Sequence, residues 1–478
     1  MTTGTNFRRG DCDSNAFVTK RVGVKVADWQ RLLLTRETKK GTELRPVAAN
    51  AITVLTHDPA WDGVVAYDDF AESIVTRRAP PWRPQDAPPD CTPGDWTDED
   101  TIRVQSWLAD AYGLDIGLEA TLNAVKVAAA RSRFHPVRDW LNSLRWDGQR
   151  RVRGWLHTIM GCDDTPYTRE VGLSFLVSAV ARVMVPGCKV DTMPILEGEQ
   201  GTFKSSVIRA LAGDDWFLEM SVTDISNKDA MQVLRRKWIA EFPEFDGFSV
   251  AEASHVKGYC SRQVDTYRPS YGKGSRDFPR QTVFAGSTNK TDYLRDETGA
   301  RRFLPVQCRL GNVTLARELR SQLWAEAVAL YQSDVPWHVV DPELLDAFKA
   351  EQAARYRSHP WEEKIASWLN KPIDLPLLTK RADVGVTTAD VLEGACKVDV
   401  SKHTDADAKI AAACLRRLGW MQGPLKRDPR RGGARVRLFF PTPADAPIPE
   451  EATSGVMEIG RPPPGWPTDE ELAALSGE

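Results

Sequence analysis

Residues 194–211 read Pro194-Ile-Leu-Glu-Gly-Glu-Gln-Gly-Thr-Phe-Lys-Ser-Ser-Val-Ile-Arg-Ala-Leu211, and this stretch decides the fold. A short apolar strand leads into a glycine-containing loop, and the loop ends in Lys204-Ser205 at the start of a helix. This order is the context of a P-loop, in which backbone amides and a helix N-terminus hold anionic phosphate. We therefore predict an α/β fold with a nucleotide-binding core at this position.

The P-loop interpretation gives individual residues a role. Lys204 is expected to reach the β- and γ-phosphates, and the Ser205 hydroxyl to ligate Mg²⁺. Phe203 departs from the usual pattern, because glycine normally precedes the lysine and a bulky residue is disfavoured at positive φ. The loop then adopts a compatible conformation or binds nucleotide weakly; the alternative is an ordinary surface turn. The predicted nucleotide-binding residues are Gly198, Gly201, Thr202, Phe203, Lys204, Ser205 and Ser206.

A second strand with carboxylates should accompany a P-loop, to hold Mg²⁺ and orient water. The segment Lys237-Trp-Ile-Ala-Glu-Phe-Pro-Glu supplies Glu241 and Glu244. We predict that Glu241 lies near the metal and that Glu244 is the water-activating base, although these roles are exchangeable. Acids after a short apolar run are common, so this interpretation depends on the preceding P-loop.

Two further polar elements follow in the chain. Gln281-Thr-Val-Phe-Ala-Gly-Ser-Thr-Asn289 reads as a strand that ends in asparagine, which in ring ATPases contacts the γ-phosphate or the attacking water. Arg301 and Arg302 precede another apolar strand, and one of them is a candidate arginine finger for a neighbouring subunit's nucleotide. The simpler alternatives are a strand-to-turn exit and a solvated arginine pair.

The pattern of apolar segments suggests several domains. Strands alternating with helices after about residue 186 indicate a three-layer core, and three helices followed by a basic hairpin indicate a winged helix. We predict an N-terminal extension with a proline-rich linker (1–95), a helical domain (96–185), the P-loop ATPase core (186–335), a helical connection (336–359), a winged-helix-like domain (360–441) and a disordered tail (442–478).

Composition excludes several other classes. The formal net charge is -3, so contacts with nucleic acid depend on local basic patches. Eight cysteines without a CxxC pair argue against a zinc site or a disulfide framework. No apolar run is long enough for a membrane span and the N-terminus lacks a signal-peptide core, so we expect a cytoplasmic protein without a membrane partner.

Four longer motifs resemble the virulence-associated protein E family. They begin at Phe134-His-Pro-Val-Arg-Asp-Trp, Tyr267-Arg-Pro-Ser-Tyr-Gly, Phe278-Pro-Arg-Gln-Thr-Val and Leu294-Arg-Asp-Glu-Thr-Gly-Ala-Arg-Arg-Phe, and the similarity runs from about residue 125 to 310. The family's ATPase is similar to superfamily three helicases of the AAA+ type, which form hexameric rings around DNA. The resemblance implies ATP, Mg²⁺ and ring formation. Many relatives carry a primase-polymerase domain, for which the 95 residues before the helical region are too few, so we expect a separately encoded primase.

Two basic segments are candidate DNA contacts. The first reads as a hairpin with Lys273 at its tip and Arg268 and Arg276 beside it, and it corresponds by position to the pore hairpin of superfamily three motors. The second is the hairpin over 419–441. Phosphate binding is predicted for both, against the alternatives of a solvated turn and a protein-binding wing. The basic residues of the second hairpin are Lys426, Arg427, Arg430, Arg431, Arg435 and Arg437.

The motifs together favour an ATP-dependent DNA helicase or translocase that replicates a phage or another mobile element. The alternative from another class is a regulatory or defence ATPase that binds DNA without unwinding it. A third hypothesis is a degenerate P-loop scaffold, inactive because of Phe203. The scaffold is disfavoured by the intact set of Lys204, Ser205, Glu241, Glu244, Asn289 and Arg301/Arg302.

Overall fold

The computed structural model describes the greater part of the chain, in two units. The described residues are 28–39, 41–81, 94–225, 230–245, 250–268, 274–291, 293–294, 302–339, 341–355, 359–371, 373, 380–428 and 434–442. The first unit extends from Met1 to Trp140 and the second from Leu141 to Glu478. Most of the proline-rich linker (82–93) and the C-terminal tail after residue 442 lie outside the described residues.

The first unit combines a small sheet with helices. Its elements are β1 (Thr35–Thr38), β2 (Gly41–Leu44), α1 (Ala48–His57), β3 (Val65–Asp68), β4 (Ser73–Thr76), β5 (Gly94–Asp95), α2 (Asp98–Tyr112), α3 (Leu118–Arg131), β6 (Arg133–Phe134) and the start of α4 (Pro136–Ser143). The strand order of the larger sheet is β5-β4-β3-β6, while β1 and β2 form a separate hairpin. Helix α2 begins with a capping box between Thr97 and Asp100.

The first unit ends at Trp140, and not at the domain boundary expected near residue 95. Apolar side chains of α1, α2 and α3 share one buried cluster, which includes Val54, Leu108 and Val125. Strand β5 also pairs with β4 across the proline-rich segment. Because helices on both sides of residue 95 bury the same apolar surface, the division between units falls after Trp140 and not at the prolines.

The second unit begins with helices and continues with alternating strands and helices. Its first elements are α5 (Trp155–Met160), α6 (Pro166–Met184), β7 (Met193–Glu197), α7 (Lys204–Ala212), β8 (Phe217–Glu219), α8 (Val222–Ile225), α9 (Ala230–Val233), β9 (Ile239–Phe242), α10 (Val250–Cys260), β10 (Val264–Tyr267), β11 (Arg276–Pro279), β12 (Val283–Thr288), β13 (Phe303–Gln307), α11 (Val313–Gln332) and α12 (Pro342–Ala354). The alternation predicted after residue 186 is therefore present.

A five-stranded parallel sheet with the order β13-β7-β12-β9-β8 forms the centre of this unit. All residues of β7, β9 and β12 are buried, as expected of parallel strands covered on both faces. Parallel pairing brings the carboxyl ends of these three strands to one edge of the sheet. Loops that follow them are thereby placed next to one another.

The last part of the second unit contains α13 (Pro360–Leu369), α14 (Arg381–Val384), α15 (Thr388–Gly394), α16 (Asp405–Arg417), β14 (Trp420–Asp428) and β15 (Ala434–Pro441). Strands β14 and β15 pair in the antiparallel hairpin predicted over 419–441. Ile365, Leu392, Leu415 and Phe439 belong to one buried cluster, so helices and hairpin share a core. Within the described part of the chain, no helix has the length and apolar character needed to cross a membrane.

A buried ion pair anchors the hairpin formed by β10 and β11. The Arg280 guanidinium donates from Nε to Asp265 Oδ2 at 2.8 Å, and it also bonds the Tyr259 carbonyl at the end of α10. The side chains of Arg280 and Asp265 are nearly fully buried. Arg182 of α6 supports the same point by donating to the Arg280 carbonyl at 3.4 Å and the Val190 carbonyl at 2.9 Å.

We expect Asp265→Asn to lower the free energy of unfolding by about 3–5 kcal/mol, because it leaves the Arg280 guanidinium buried without its counter-charge. Urea denaturation measures the loss. Asp214→Asn is the matched control, since the Arg209–Asp214 pair is exposed and should contribute about 0–1 kcal/mol. A loss no larger than that of the control would contradict a role for the buried pair.

Candidate active site

The loop between β7 and α7 has the backbone conformation that close approach to an anion requires. Gly198 and Gly201 have φ values of 155° and 83°. A Cβ atom on Gly198 would lie 2.8 Å from the Cys308 carbonyl oxygen, so no larger residue fits there without a shift. Helix α7 then begins at Lys204 without a side-chain cap, which leaves its first amides available to a ligand.

Phe203 occupies the left-handed conformation that glycine adopts without steric cost. Its φ and ψ are 60° and 24°, and its side chain is 53% exposed. The sequence left open how the loop accommodates a bulky residue at this position, and the structure gives Phe203 a positive φ. A non-glycine residue in this region costs about 1–2 kcal/mol, so the loop holds Phe203 against its local preference.

The Lys204 side chain is buried and lies across the loop. Its Nζ donates to the carbonyls of Gly198 (2.7 Å) and Glu199 (2.8 Å) and to Thr202 Oγ1 (3.1 Å). Asn289 Oδ1 is 3.5 Å away. Burial lowers the pKa of Lys204 from its ordinary value, because desolvation disfavours the ammonium. The ammonium is thus held where it can meet an anion bound by the same loop.

Ser205 and Glu241 are in direct contact. The Ser205 hydroxyl donates to Glu241 Oε1 at 2.7 Å, although the two residues are 36 positions apart. Glu241 is fully buried, and its Oε2 has no hydrogen-bond partner among the described residues. Mg²⁺ prefers oxygen ligands, and Ser205 and Glu241 offer a hydroxyl oxygen and a carboxylate oxygen without a hydrogen bond. The two residues therefore fit the ion. Among the described residues, no three His, Cys, Asp or Glu side chains cluster to form a metal site. Mg²⁺ does not require such a cluster, because phosphate and water oxygens complete its coordination.

Within the described part of the chain, the other predicted catalytic residues make no hydrogen bond or ion pair with Lys204, Ser205 or Glu241. Glu244 follows β9 with an exposed side chain and a φ of 53°. Arg302 lies before β13 and donates from Nε to Ser261 Oγ at 2.8 Å, while Arg301 lies outside the described residues. The structure therefore brings Lys204, Ser205, Glu241 and Asn289 together, and the roles of Glu244 and of both arginines remain predictions.

A buried charge cluster behind the loop was not predicted. Glu197, the last residue of β7, is fully buried and accepts hydrogen bonds from Arg355 Nε at 3.0 Å and from Tyr293 Oη at 2.9 Å. Arg355 follows α12, and Tyr293 lies in the segment after Asn289. Burial raises the pKa of Glu197, and the Arg355 guanidinium lowers it in part. The sequence signal was an acid inside a buried strand, directly before Gly198.

The two hairpins present their basic residues as follows. Arg268 and Arg276 are exposed at the free end of the β10–β11 hairpin, and Lys273 lies outside the described residues. In the second hairpin Arg427 is directly opposite Arg435, and Arg437 lies two residues further along the same strand face. All three are exposed. Like charges at opposed positions destabilise a strand pair. Arg430, Arg431 and the Lys426 side chain lie outside the described part.

Comparison with known proteins agrees with the motifs. Residues 141–357 match the virulence-associated protein E-like domain, so the chain carries a domain of this family. No curated protein matches the chain. The chain is similar to an A-form apo structure of the NrS-1 C-terminal region, with 12% identity, coverage of 68% and 79% of the two chains and a TM-score of 0.43. It is also similar to the apo structure of residues 305–718 of that region, with 11% identity, coverage of 80% and 99% and a TM-score of 0.40.

We expect Phe203→Gly to be more stable than Phe203→Ala by about 1 kcal/mol, because only glycine adopts the left-handed conformation without cost. Urea denaturation of the nucleotide-free protein measures the difference. The same pair of substitutions at exposed Leu310, whose φ is not positive, should give the reverse order. An alanine variant at least as stable as the glycine variant at position 203 would disprove the strain.

We expect Glu241→Gln to raise the free energy of unfolding at pH 7 by about 1 kcal/mol. Burial raises the pKa of Glu241 above its ordinary 4.5, and the hydrogen bond from Ser205 lowers it only in part. An acid with a raised pKa destabilises the folded state while it is ionised, and this cost disappears as the pH falls through the raised pKa toward 4.5. The advantage of glutamine should shrink over the same range in denaturation series without nucleotide. A constant difference across pH would mean that ionisation of Glu241 is not its cause.

Proposed function

We propose that the chain is a P-loop ATPase of the AAA+ type that couples ATP hydrolysis to unwinding of DNA, or translocation along it, in the replication of a phage or another mobile element. The observation that carries the proposal is the Ser205–Glu241 contact beside Lys204, at the ends of β7 and β9, the parallel strands on either side of β12. Walker-type sites need this combination of a loop lysine, a hydroxyl and a strand-end carboxylate. The strand order and the virulence-associated protein E-like domain support the same class.

The loop residues act first as a phosphate cradle. Amides of the loop and of the first turn of α7 donate to the β- and γ-phosphates, and Gly198 and Gly201 permit their close approach. Lys204 exchanges its loop carbonyl partners for phosphate oxygens, a change favoured because an anion compensates a buried ammonium better than neutral carbonyls do. The predicted site residues Thr202, Phe203 and Ser206 contribute through the same backbone.

Strand-end side chains then organise the reacting groups. Ser205 and Glu241 would hold Mg²⁺, which when bound would supply positive charge beside the phosphates. Glu244 orients and deprotonates the attacking water, and Asn289 contacts the γ-phosphate or that water. The hydrogen bond from Ser205 supports Glu241 as the ligand of the metal ion. The role of general base then falls to Glu244. Arg301 or Arg302 serves as the finger at a neighbouring subunit, in the hexameric ring that the family resemblance implies.

The basic hairpins supply contacts with the DNA backbone. Arg268 and Arg276 lie at the free end of one hairpin, whose base is held rigidly by the Arg280–Asp265 pair, and Lys273 remains the contact predicted from the sequence. The opposed Arg427 and Arg435 of the winged-helix-like domain support an anionic ligand, because phosphate would relieve their repulsion. A separately encoded primase would supply primers.

We expect purified protein to hydrolyse ATP with Mg²⁺, with stimulation by single-stranded DNA. Lys204→Ala should lower the rate at least about 100-fold, because one preorganised charge at the transferring phosphate is removed. Lys402→Ala is the control, since this exposed lysine lies in a turn of the C-terminal part. Phosphate release with and without DNA measures both effects. Equal hydrolysis by Lys204→Ala and the native chain would refute the P-loop assignment.

Strand displacement on a forked duplex separates the motor from its alternative. A motor displaces the labelled strand only with hydrolysable ATP, and Lys204→Ala abolishes the displacement. ATP hydrolysis and DNA binding without displacement, by assembled protein on several fork structures, would instead identify a regulatory or defence ATPase.

A further inference from the structure

The loop over residues 144–153 has no helix or strand, yet the second unit holds it firmly from α11. Gln322 accepts from the Asp147 amide through Oε1 at 3.0 Å and donates from Nε2 to the Arg145 carbonyl at 3.1 Å. Glu326, which is 3% exposed, accepts from the Val152 amide at 2.8 Å and from the Arg151 amide. A buried carboxylate that is used to hold loop backbone indicates a preorganised loop and not a passive connection.

Contacts inside the loop add to this order. The Arg151 guanidinium forms two hydrogen bonds of 2.7 Å with the Asp147 carboxylate. This pairing lowers the pKa of Asp147 to about 2. The Trp146 indole donates from Nε1 to the Gln149 carbonyl at 2.9 Å, and the Gln149 amide donates to Asp147 at 2.9 Å. Asp147, the only acid of the loop, is therefore paired with Arg151, and the indole ring is held in one orientation.

The outer side of the loop presents an aromatic ring among cations. Trp146 is 38% exposed, and Arg145, Arg150 and Arg153 of the same loop are also exposed. Arg153 is neutralised by Glu170 at 2.7 Å, but neither Arg145 nor Arg150 has an acidic partner among the described residues. Four arginines against one aspartate make this loop strongly basic in a chain whose net charge is -3.

We infer that the 144–153 loop binds single-stranded nucleic acid, with a base stacked on Trp146 and phosphates held by Arg145 and Arg150. Exposed aromatic rings between cations form stacking platforms for single strands, because every base has a π-face and every linkage a charge. An acidic protein partner could bind the arginines alone, and such binding would not require an exposed indole held in one orientation. This inference deepens the proposed function, since it rests on the chain working on DNA.

Helix α11 links the 144–153 loop to α7, the helix that begins at the end of the phosphate loop. The helix that holds the 144–153 loop through Gln322 and Glu326 also bonds the C-terminal end of α7. Arg320 Nε and Trp324 Nε1 donate to the Leu211 carbonyl at 3.0 and 2.9 Å. Because α7 starts at Lys204, one helix supports both the inferred nucleic-acid contact and the helix of the nucleotide site.

The test measures binding of a fluorescein-labelled single-stranded oligothymidylate by anisotropy, using the full chain without nucleotide. Trp146→Ala should weaken binding about tenfold or more, because stacking of one base is lost. Trp146→Phe should retain most of the affinity, since it keeps a ring but removes the hydrogen bond to Gln149. A phenylalanine variant as weak as the alanine variant would assign Trp146 to loop structure only and overturn the stacking role.

Arg150→Ala provides a second arm that does not depend on loop folding, because the Arg150 side chain has no hydrogen bond or ion pair in the described structure. The slope of log affinity against log salt should fall by about 0.7, as expected when one phosphate contact to a single strand is removed. Lys349→Ala is the control, an exposed cation on α12 whose removal should leave affinity and slope unchanged.

Binding by Trp146→Ala and Arg150→Ala with native affinity and salt slope would overturn the inference, as would a native chain that binds no oligonucleotide. Unchanged binding with altered sedimentation of Trp146→Ala would assign the loop to a contact between protein chains, which also overturns it. The assay contains no ATP, so a failure of hydrolysis affects the proposed motor and leaves this result interpretable. Loss of binding only in Arg268→Ala and Arg276→Ala would support the motor and refute the loop.

Discussion

Parallel pairing of β12 with both β7 and β9 is the constraint on which the candidate site depends. Gly286 of β12 is in register with Ile195 on one side and Phe242 on the other, so backbone hydrogen bonds fix three strand ends at one edge of the sheet. Lys204 and Asn289, 85 residues apart in the chain, approach each other for this reason. A shift of register by one residue would reverse the faces of a strand and separate these side chains.

Several features of that edge are unfavourable for stability. Phe203 holds a left-handed backbone, Lys204 is a buried ammonium among neutral oxygens, and Glu241 is a buried carboxylate with one unsatisfied oxygen. Each costs free energy in the nucleotide-free protein and would be compensated by a bound anion or cation. Concentration of such costs at one place is typical of functional sites, where local rules are broken for a ligand. The fully satisfied Glu197–Arg355–Tyr293 cluster directly behind the loop provides the rigid support.

Helix α11 connects regions that the sequence separates widely. Polar side chains on it hold the irregular 144–153 loop, and Arg320 and Trp324 bond the end of α7. The 144–153 loop and α7 are both bonded to this one helix, although through different side chains. Rigid elements of this kind transmit small movements without local unfolding. The sequence of α11 alone indicates only an amphipathic helix, because the partners of its polar face are distant in the chain.

Local patterns in the sequence determined a large part of this description. The order of strand, glycine loop, lysine and helix predicted the phosphate loop and marked Phe203 as the residue that departs from its usual pattern. Glu241 and Asn289 were found because strand ends are marked by polar residues after apolar runs. The motifs also identified the family. Such inferences succeed because strands, turns and helix starts obey short-range rules of sterics and hydrogen bonding.

Tertiary structure decided the rest. The prolines near residue 90 suggested a domain boundary, but α1, α2 and α3 share one apolar cluster across them. Only the fold pairs Glu197 with Arg355, and only the fold shows that Arg151 neutralises Asp147 while Trp146 and Arg150 face outward. Burial and long-range charge pairing depend on which elements pack together, and no window of sequence contains both partners. The sequence therefore determined which chemical groups are present, and packing decided which of them meet.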